Sequence, residues 1–221
     1  TGSGLRRAEF HRGDWIVGAG CAFATSRIDV EIRVLESEVR ALRNRTSVHV
    51  HIGAADTTGR IRLLDSSSIA PGDFGRAQIR LEREVHAVRG DLVILRDQSA
   101  RRTVGGGEIL DPAPLATNRP RETRFAHLDA MMQRDALDSA LRALETVPGA
   151  IEKGRFSQSW NLTQEEASDL WHRLPVVSLN TSSGLLGFHE RRWRDLRRSL
   201  VDVVKMRDGS PGKCAGVSDR D

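Results

Sequence analysis

Lysine is almost missing from this chain of 221 residues: Lys153, Lys205 and Lys213 are the full complement, and arginine carries nearly all of the positive charge. The planar guanidinium of arginine suits bidentate phosphate contact and stacking on bases, which makes RNA a natural partner. A GC-rich genome favouring arginine codons would leave the same bias, so composition keeps both readings open. Cysteine is equally scarce. Cys21 and Cys214 are too few and too far apart for a disulfide framework, and a reducing cytoplasm is the expected compartment. No apolar run approaches the roughly 20 residues that a membrane helix needs, so no membrane partner is expected. The opening TGSGLRRAEF lacks the apolar stretch of a signal peptide and reads as the start of a fragment. A G-x-x-x-x-G-K-[ST] phosphate loop is absent too, which excludes that class of nucleotide site from this chain. What remains is globular in texture, with 29% charged and 38% apolar residues and a net charge of +4 spread evenly along the chain.

Up to about Pro114 the pattern is β. Ile28, Val30, Ile32 and Val34 alternate with Asp29, Glu31 and Arg33, the period of a half-buried strand. Strands are expected over 27–35, 47–52, 59–64, 76–81, 92–95 and 103–110, separated by turns such as Pro71-Gly72-Asp73 and Arg89-Gly90-Asp91. Short strands at this spacing, with no helical period between them, predict a closed barrel or sandwich. Gly105, Gly106 and Gly107 lie inside the last strand. Glycine is costly there, so the run is expected to serve a bulge, a barrel corner or a close backbone approach.

The texture changes at DPAPLATNRPR (111–121), whose three prolines mark the domain boundary. Beyond it the period is helical. Phe125, Leu128, Met131 and Met132 share one face, and Leu137, Leu141 and Leu144 another. Thr163 to Glu166 fits a capping box opening a helix through Leu170 and Leu174. Val176 to Leu179 and Gly187-Phe188 flank a Ser/Gly tip as a hairpin would. A last helix carries Trp193, Leu196, Leu200 and Val203 as its apolar stripe, with Arg191, Arg194 and Arg198 exposed beside it. Helices, a hairpin and one more helix describe a winged-helix domain.

Two constellations invite a chemical reading and receive a structural one. Asp56-Thr-Thr-Gly59 has the Asp-x-x-Gly spacing of a nucleotide switch, but with no phosphate loop before it a turn is expected. His49 and His51 share a strand face, yet nothing close in sequence completes a metal site, so they read as structural. No arrangement of Ser, His and Asp suggests a nucleophile, and no catalytic residue or metal ligand is expected in this chain.

Six blocks carry a family resemblance: Ser26-Arg-Ile-Asp29, Val48-His-Val-His-Ile-Gly53, Ile69-Ala-Pro-Gly72, Gly90-Asp91, Leu95-Arg96-Asp97, and Thr103-Val-Gly-Gly-Gly107 running to Asp111-Pro112. With Arg12-Gly-Asp-Trp15 ahead of them, their order resembles the third domain of elongation factor Tu-class translational GTPases, and most closely the selenocysteine-specific elongation factors. The helical half matches more loosely, through Leu162-Thr163 and Trp193. The resemblance implies an antiparallel six-stranded β-barrel at 26–114 followed by a winged helix at 123–206. Residues 1–25 would close a preceding β-barrel (domain II), 115–122 would be a linker, and 207–221 a linker or the start of a further winged helix.

The resemblance also implies a role in carrying selenocysteinyl-tRNA to the ribosome at recoded UGA codons. GTP and magnesium would belong to a GTPase domain upstream of this chain, and no cofactor to the chain itself; no Asn-Lys-x-Asp motif for guanine occurs in it. The expected partners are selenocysteine tRNA, the ribosome, the factor's own GTPase domain, and the mRNA selenocysteine-insertion hairpin through a downstream domain. In related factors the turn before the Thr-Val-Gly strand lies against the tRNA T-stem. That implies an RNA-contacting set of Arg96, Asp97, Arg101, Arg102 and Gly105, with Arg191, Arg194 and Arg198 as a second candidate stripe. Two other functions remain open on the residues alone. One is a winged-helix DNA-binding regulator with an N-terminal β sensor domain, its 163–174 helix in the major groove. The other is a scaffold that binds no nucleic acid.

Overall fold

A computed structural model of the protein describes residues 16–17, 23–114, 120–182 and 184–208. The expectations for Arg12 to Trp15, both cysteines, most of the 115–122 linker and the tail lie outside these residues.

Six strands close into an antiparallel barrel: β1 (Ala24–Val34), β3 (Ser47–Ile52), β4 (Ala55–Leu63), β6 (Phe74–His86), β7 (Leu92–Arg96) and β8 (Thr103–Asp111). Their order around the barrel is β1-β6-β4-β3-β7-β8, with β8 returning to β1. Two short strands, β2 (Leu42–Arg43) and β5 (Ser68–Ile69), pair beside it. The alternation seen in the sequence sets the inside. Ile28, Val30 and Ile32 of β1, with Ile61, Ile79, Leu95 and Ile109, are essentially inaccessible to solvent. Each such side chain contributes about 1.5–3 kcal/mol of burial free energy.

The glycine run has a definite cause. A Cβ on Gly107 would lie 1.7 Å from the Glu31 carbonyl oxygen, one on Gly105 2.5 Å from that of Arg33, and one on Gly106 2.8 Å from that of Val93. The strand is therefore held too close to β1 and β7 for any side chain. The glycines themselves stay in register, opposite Val34, Arg33 and Ile32 of β1. Register shifts flank them instead, between Leu95 and Arg96 of β7 and between Asp29 and Val30 of β1. Close approach is the role of the glycines, with irregularities on either side of them.

One turn expectation is corrected. Asp56 to Gly59 belongs to β4 and pairs with β3, because the hairpin turn needs only Gly53 and Ala54, leaving Ile52 opposite Ala55. Gly53 takes the positive φ of 55° that such a tight turn demands.

The second half begins with α1 (Arg121–Met131) and α2 (Ala136–Thr146). It continues through β9 (Ile151–Glu152), α3 (Lys153–Ser159), α4 (Gln164–His172), the hairpin β10 (Val176–Thr181) and β11 (Gly184–His189), and α5 (Glu190–Asp208). The strands form a three-stranded antiparallel sheet in the order β10-β11-β9. A second, separate core gathers Met131, Ala140, Leu144, Phe156, Leu170 and Trp171, with Phe156 edge-on to Trp171 at 5.4 Å. The capping box forms as expected: Thr163 accepts the Glu166 amide, and the Glu166 carboxylate accepts the Thr163 amide at 2.8 Å.

The α5 stripe departs from expectation. Trp193 is half-buried against the Phe188 ring, but Leu196, Leu200 and Val203 are 42%, 55% and 60% exposed. At about 1.5 Å per residue this helix of 19 residues outruns the short sheet it starts from. Among the described residues nothing covers its far end. Similarly, Leu128 and Met131 of α1 are buried as expected, whereas Met132 ends the helix on the surface.

Candidate nucleic-acid interface

The turn between β7 and β8 is built by one carboxylate. Asp97 Oδ1 accepts the backbone amides of Arg101 at 2.8 Å and Arg102 at 3.1 Å, while the Ser99 hydroxyl donates to Oδ2 at 2.7 Å. The Asp97 amide in turn donates to the Arg102 carbonyl at 3.0 Å, and Ala100 supplies a positive φ of 53°. The Ser99 hydrogen bond first, and the backbone amides after it, hold the Asp97 carboxyl below its ordinary value. Asp97 is thus the organiser of the turn, with both oxygens engaged inside it.

The two arginines at the tip differ. Arg102 Nη1 donates to both oxygens of Glu38, at 2.8 and 2.9 Å, pinning the turn to the loop after β1. Arg101 projects from the exposed tip with no acidic partner among the described residues. Arg96 ends β7 opposite His49 of β3, partly buried. Gly105 is buried between β1 and β7, where the packing described above requires it.

Arg191, Arg194 and Arg198 are exposed along α5, in the half of the molecule beyond the barrel. Their neighbour Arg192 turns the other way, donating to the Val147 and Glu145 carbonyls at the end of α2 and fixing the start of α5. His49 and His51 both face Asp56 of β4, at 3.6 and 3.8 Å. No group of three or more His, Cys, Asp or Glu side chains among the described residues is placed to hold a metal ion. No helix there is long and apolar enough to cross a membrane.

A polar joint binds the barrel to the helical half. Asp29 is only 1% exposed, although it lies on the outward face of β1. Arg124 of α1 covers it, with Nη2 donating to both carboxylate oxygens at 2.6 and 2.7 Å, and Gln78 of β6 adds a hydrogen bond at 3.0 Å. Burial pushes the Asp29 carboxyl up to about 6, overriding the lowering by Arg124, and nearby Asp111 pushes the same way. Asp111 pairs with His127 of α1 at 2.8 Å, and Arg76 of β6 with Asp129 at 2.8 Å.

Arg89, in the loop after β6, completes the joint. It donates to the Met131 and Gln133 carbonyls at the end of α1, at 2.6 and 2.9 Å, where a cation also complements the helix dipole. Its guanidinium lies 4.3 Å from the centre of the Trp160 ring, and its amide donates to the Ser159 carbonyl at 2.8 Å. Two ends of helices in the second half are therefore clamped by one barrel residue. Asp29, Arg89 and Asp111 lie in segments that the sequence singles out, but their pairing with α1 has no local signature: Arg124 is 95 residues from Asp29.

Comparisons with known proteins agree with this architecture. Residues 25–116 match the family described as selenocysteine-specific elongation factor, beta-barrel domain. A selenocysteine-specific elongation factor of Desulfomicrobium baculatum is 35% identical over 109 residues, 49% of this chain and 17% of that protein. Its counterpart in Haemophilus influenzae is 33% identical over 124 residues, 56% of this chain and 19% of its own length. That of Escherichia coli strain K12 is 25% identical over 166 residues, 74% of this chain, so this similarity runs on past the barrel. At most 25% of any of these three relatives is spanned. Residues 25–116 are therefore similar to the β-barrel domain of selenocysteine-specific elongation factors, and the chain as a whole is similar to a part of such factors.

Proposed function

We propose that this chain is part of a factor that delivers selenocysteinyl-tRNA to the ribosome, and that its own contribution is RNA binding and geometry. The observation that carries the reading is the family barrel at residues 25–116, with an exposed arginine turn at Arg101 and Arg102. Arg101 meets tRNA phosphate, while Arg102 and Asp97 keep the turn in shape. GTP hydrolysis belongs to a different domain of the factor. The segment from α2 to β11 is a winged helix: helix, strand, two helices and a hairpin, with strand order β10-β11-β9, support that assignment. The buried joint around Asp29 and Arg124 keeps this domain at a fixed angle to the barrel, so that a cargo held on one side and a message read beyond the other stay in register.

A DNA-reading role suits α4 poorly. Its exposed face carries Glu165, Glu166 and Asp169, and the following Arg173 is engaged by Asp169 at 3.6 Å. An acidic helix of this kind is repelled by phosphate. The test is a titration of the chain against selenocysteine tRNA, a bulk elongator tRNA and duplex DNA at two salt concentrations. Tightest binding to selenocysteine tRNA, weakened by salt, is expected. DNA binding equal to or tighter than tRNA binding sinks the reading.

A further inference from the structure

On the outer face of the barrel, away from the β7–β8 turn, three arginines stand in one cross-strand row. Arg27 of β1 is directly opposite Arg80 of β6, and Arg80 is directly opposite Arg60 of β4. Arg62, two residues along β4, shares that face. Arg45 joins them from the loop before β3, held there by its amide bond to the Ile61 carbonyl at 2.8 Å in a left-handed conformation with φ of 65°. These five arginines, all exposed, line an open cleft of about 990 Å³ that contains no aspartate or glutamate. Ser26, Asn44 and Gln78 supply the neutral polar groups of its wall, with the Gln78 amide engaged by Asp29.

Like charges directly opposite on neighbouring strands destabilise a sheet. Here two such pairs share one central residue, and no ion pair among the described residues relieves any member of the row. Several other outward cations of the barrel are neutralised: Arg76 has Asp129, Arg33 has Glu36 and Arg102 has Glu38. In the row three cations without an ion pair among the described residues stand directly opposite one another, and a bound polyanion removes the repulsion.

We propose that this cleft is a second RNA-binding site, which grips the sugar–phosphate backbone of one strand. The inference rests on the RNA-binding reading above and adds a contact surface that the turn at Arg101 does not include. With strands about 4.8 Å apart, the row extends about 10 Å. A duplex strand presents one phosphate per about 3.4 Å of axis, so the row faces about three phosphates. Guanidinium forks suit phosphate oxygens, and the hydroxyl of Ser26 and the amide of Asn44 suit ribose hydroxyls. The cleft holds no aromatic ring, so it positions RNA and does not read its bases.

The experiment compares the full chain with the variant Arg27→Gln/Arg60→Gln/Arg80→Gln, titrating selenocysteine tRNA over a range of salt. A parallel variant, Arg101→Gln, reports on the turn. The cleft variant is expected to lose at least tenfold in affinity and about two units of the slope of log K against log salt. It is also expected to melt no lower than the parent at low salt, because glutamine relieves the repulsion. Should the triple variant fail to fold, the single change Arg80→Gln at the centre of the row is expected to lower the slope by about one. Unchanged affinity and slope in the cleft variants, with loss in Arg101→Gln, overturns this site and leaves the proposed function standing. A parent chain that binds no RNA overturns both. Loss of binding to poly-glutamate but not to tRNA assigns the cleft to an acidic protein surface and likewise overturns the proposal.

Discussion

Replacing Arg124 with methionine tests whether the two halves are one mechanical unit. Arg124 is 8% exposed and Asp29 1%, so the change leaves a carboxylate buried without its cation. Removing one partner of a buried ion pair costs about 3–5 kcal/mol, a large share of the 5–15 kcal/mol that holds a typical domain folded. For a chain of this size about 1 kcal/mol moves the melting temperature by 2–4 °C, so a drop of about 6–20 °C is expected. The loss should be local first. Amides of α1 and of the adjoining stretches of β1 and β6 should exchange faster with deuterium, while those of β3 and β7, across the barrel, keep their protection. The double variant Asp29→Leu/Arg124→Met removes both charges and should recover most of the stability, since apolar replacements of buried pairs are often neutral or better. Calorimetry and hydrogen exchange on the four proteins of this cycle decide the matter. Additive losses in the double variant, with unchanged exchange in α1, would refute the argument that the pair fastens the joint.

The pH dependence of the same pair has a definite sign. With the Asp29 carboxyl at about 6 in the folded state against 3.8 ordinarily, the folded chain holds a proton that the unfolded chain has released between those values. The contribution of Asp29 to stability is therefore present at low pH and lost as pH rises through about 6. Urea unfolding of the parent and Asp29→Asn should show the parent losing up to about 3 kcal/mol relative to the variant between about pH 4 and 7; a constant difference would contradict the assignment. Gly107→Ala should cost about 3 kcal/mol or more, because its Cβ would stand 1.7 Å from the Glu31 carbonyl oxygen, whereas Gly154→Ala in α3, with its nearest contact at 3.4 Å, should be neutral or stabilising by thermal melting. Thr163→Ala removes the cap of α4 and should cost about 1 kcal/mol, read by chemical denaturation; a loss within error would mean that Glu166 holds the helix end by itself.

Much of the barrel was legible because its strands bury one face. Alternation in β1 and the 47–52 segment placed those strands closely, and the chain break at 111–121 separates the two cores. Short elements were not legible. β9 has two residues, β2 and β5 two each, and α3 only seven, too few for a period to register. The Asp56–Gly59 segment misled because its residues favour turns, while a two-residue hairpin at Gly53-Ala54 left them to pair as a strand. In the turn at Asp97 the residue types pointed to the right place, but the partnership of Arg102 with Glu38 spans 64 positions and has no local signature.

Local periodicity along the chain states which faces are apolar, where β gives way to α, and where the blocks of the family resemblance lie. Those depend on neighbours within a few residues, and the chain states them directly. Which charges are neutralised depends on the folded arrangement. Asp29 and Glu31 read alike in the strand, yet one is buried beneath Arg124 and the other remains partly open. Arg76 and Arg80 also read alike, yet one finds Asp129 and the other stands opposite two more arginines. Barrel closure and the docking of α1 bring together residues tens of positions apart. Because electrostatic free energy depends on those distances and on exclusion of water, composition could count the charges but not assign their work.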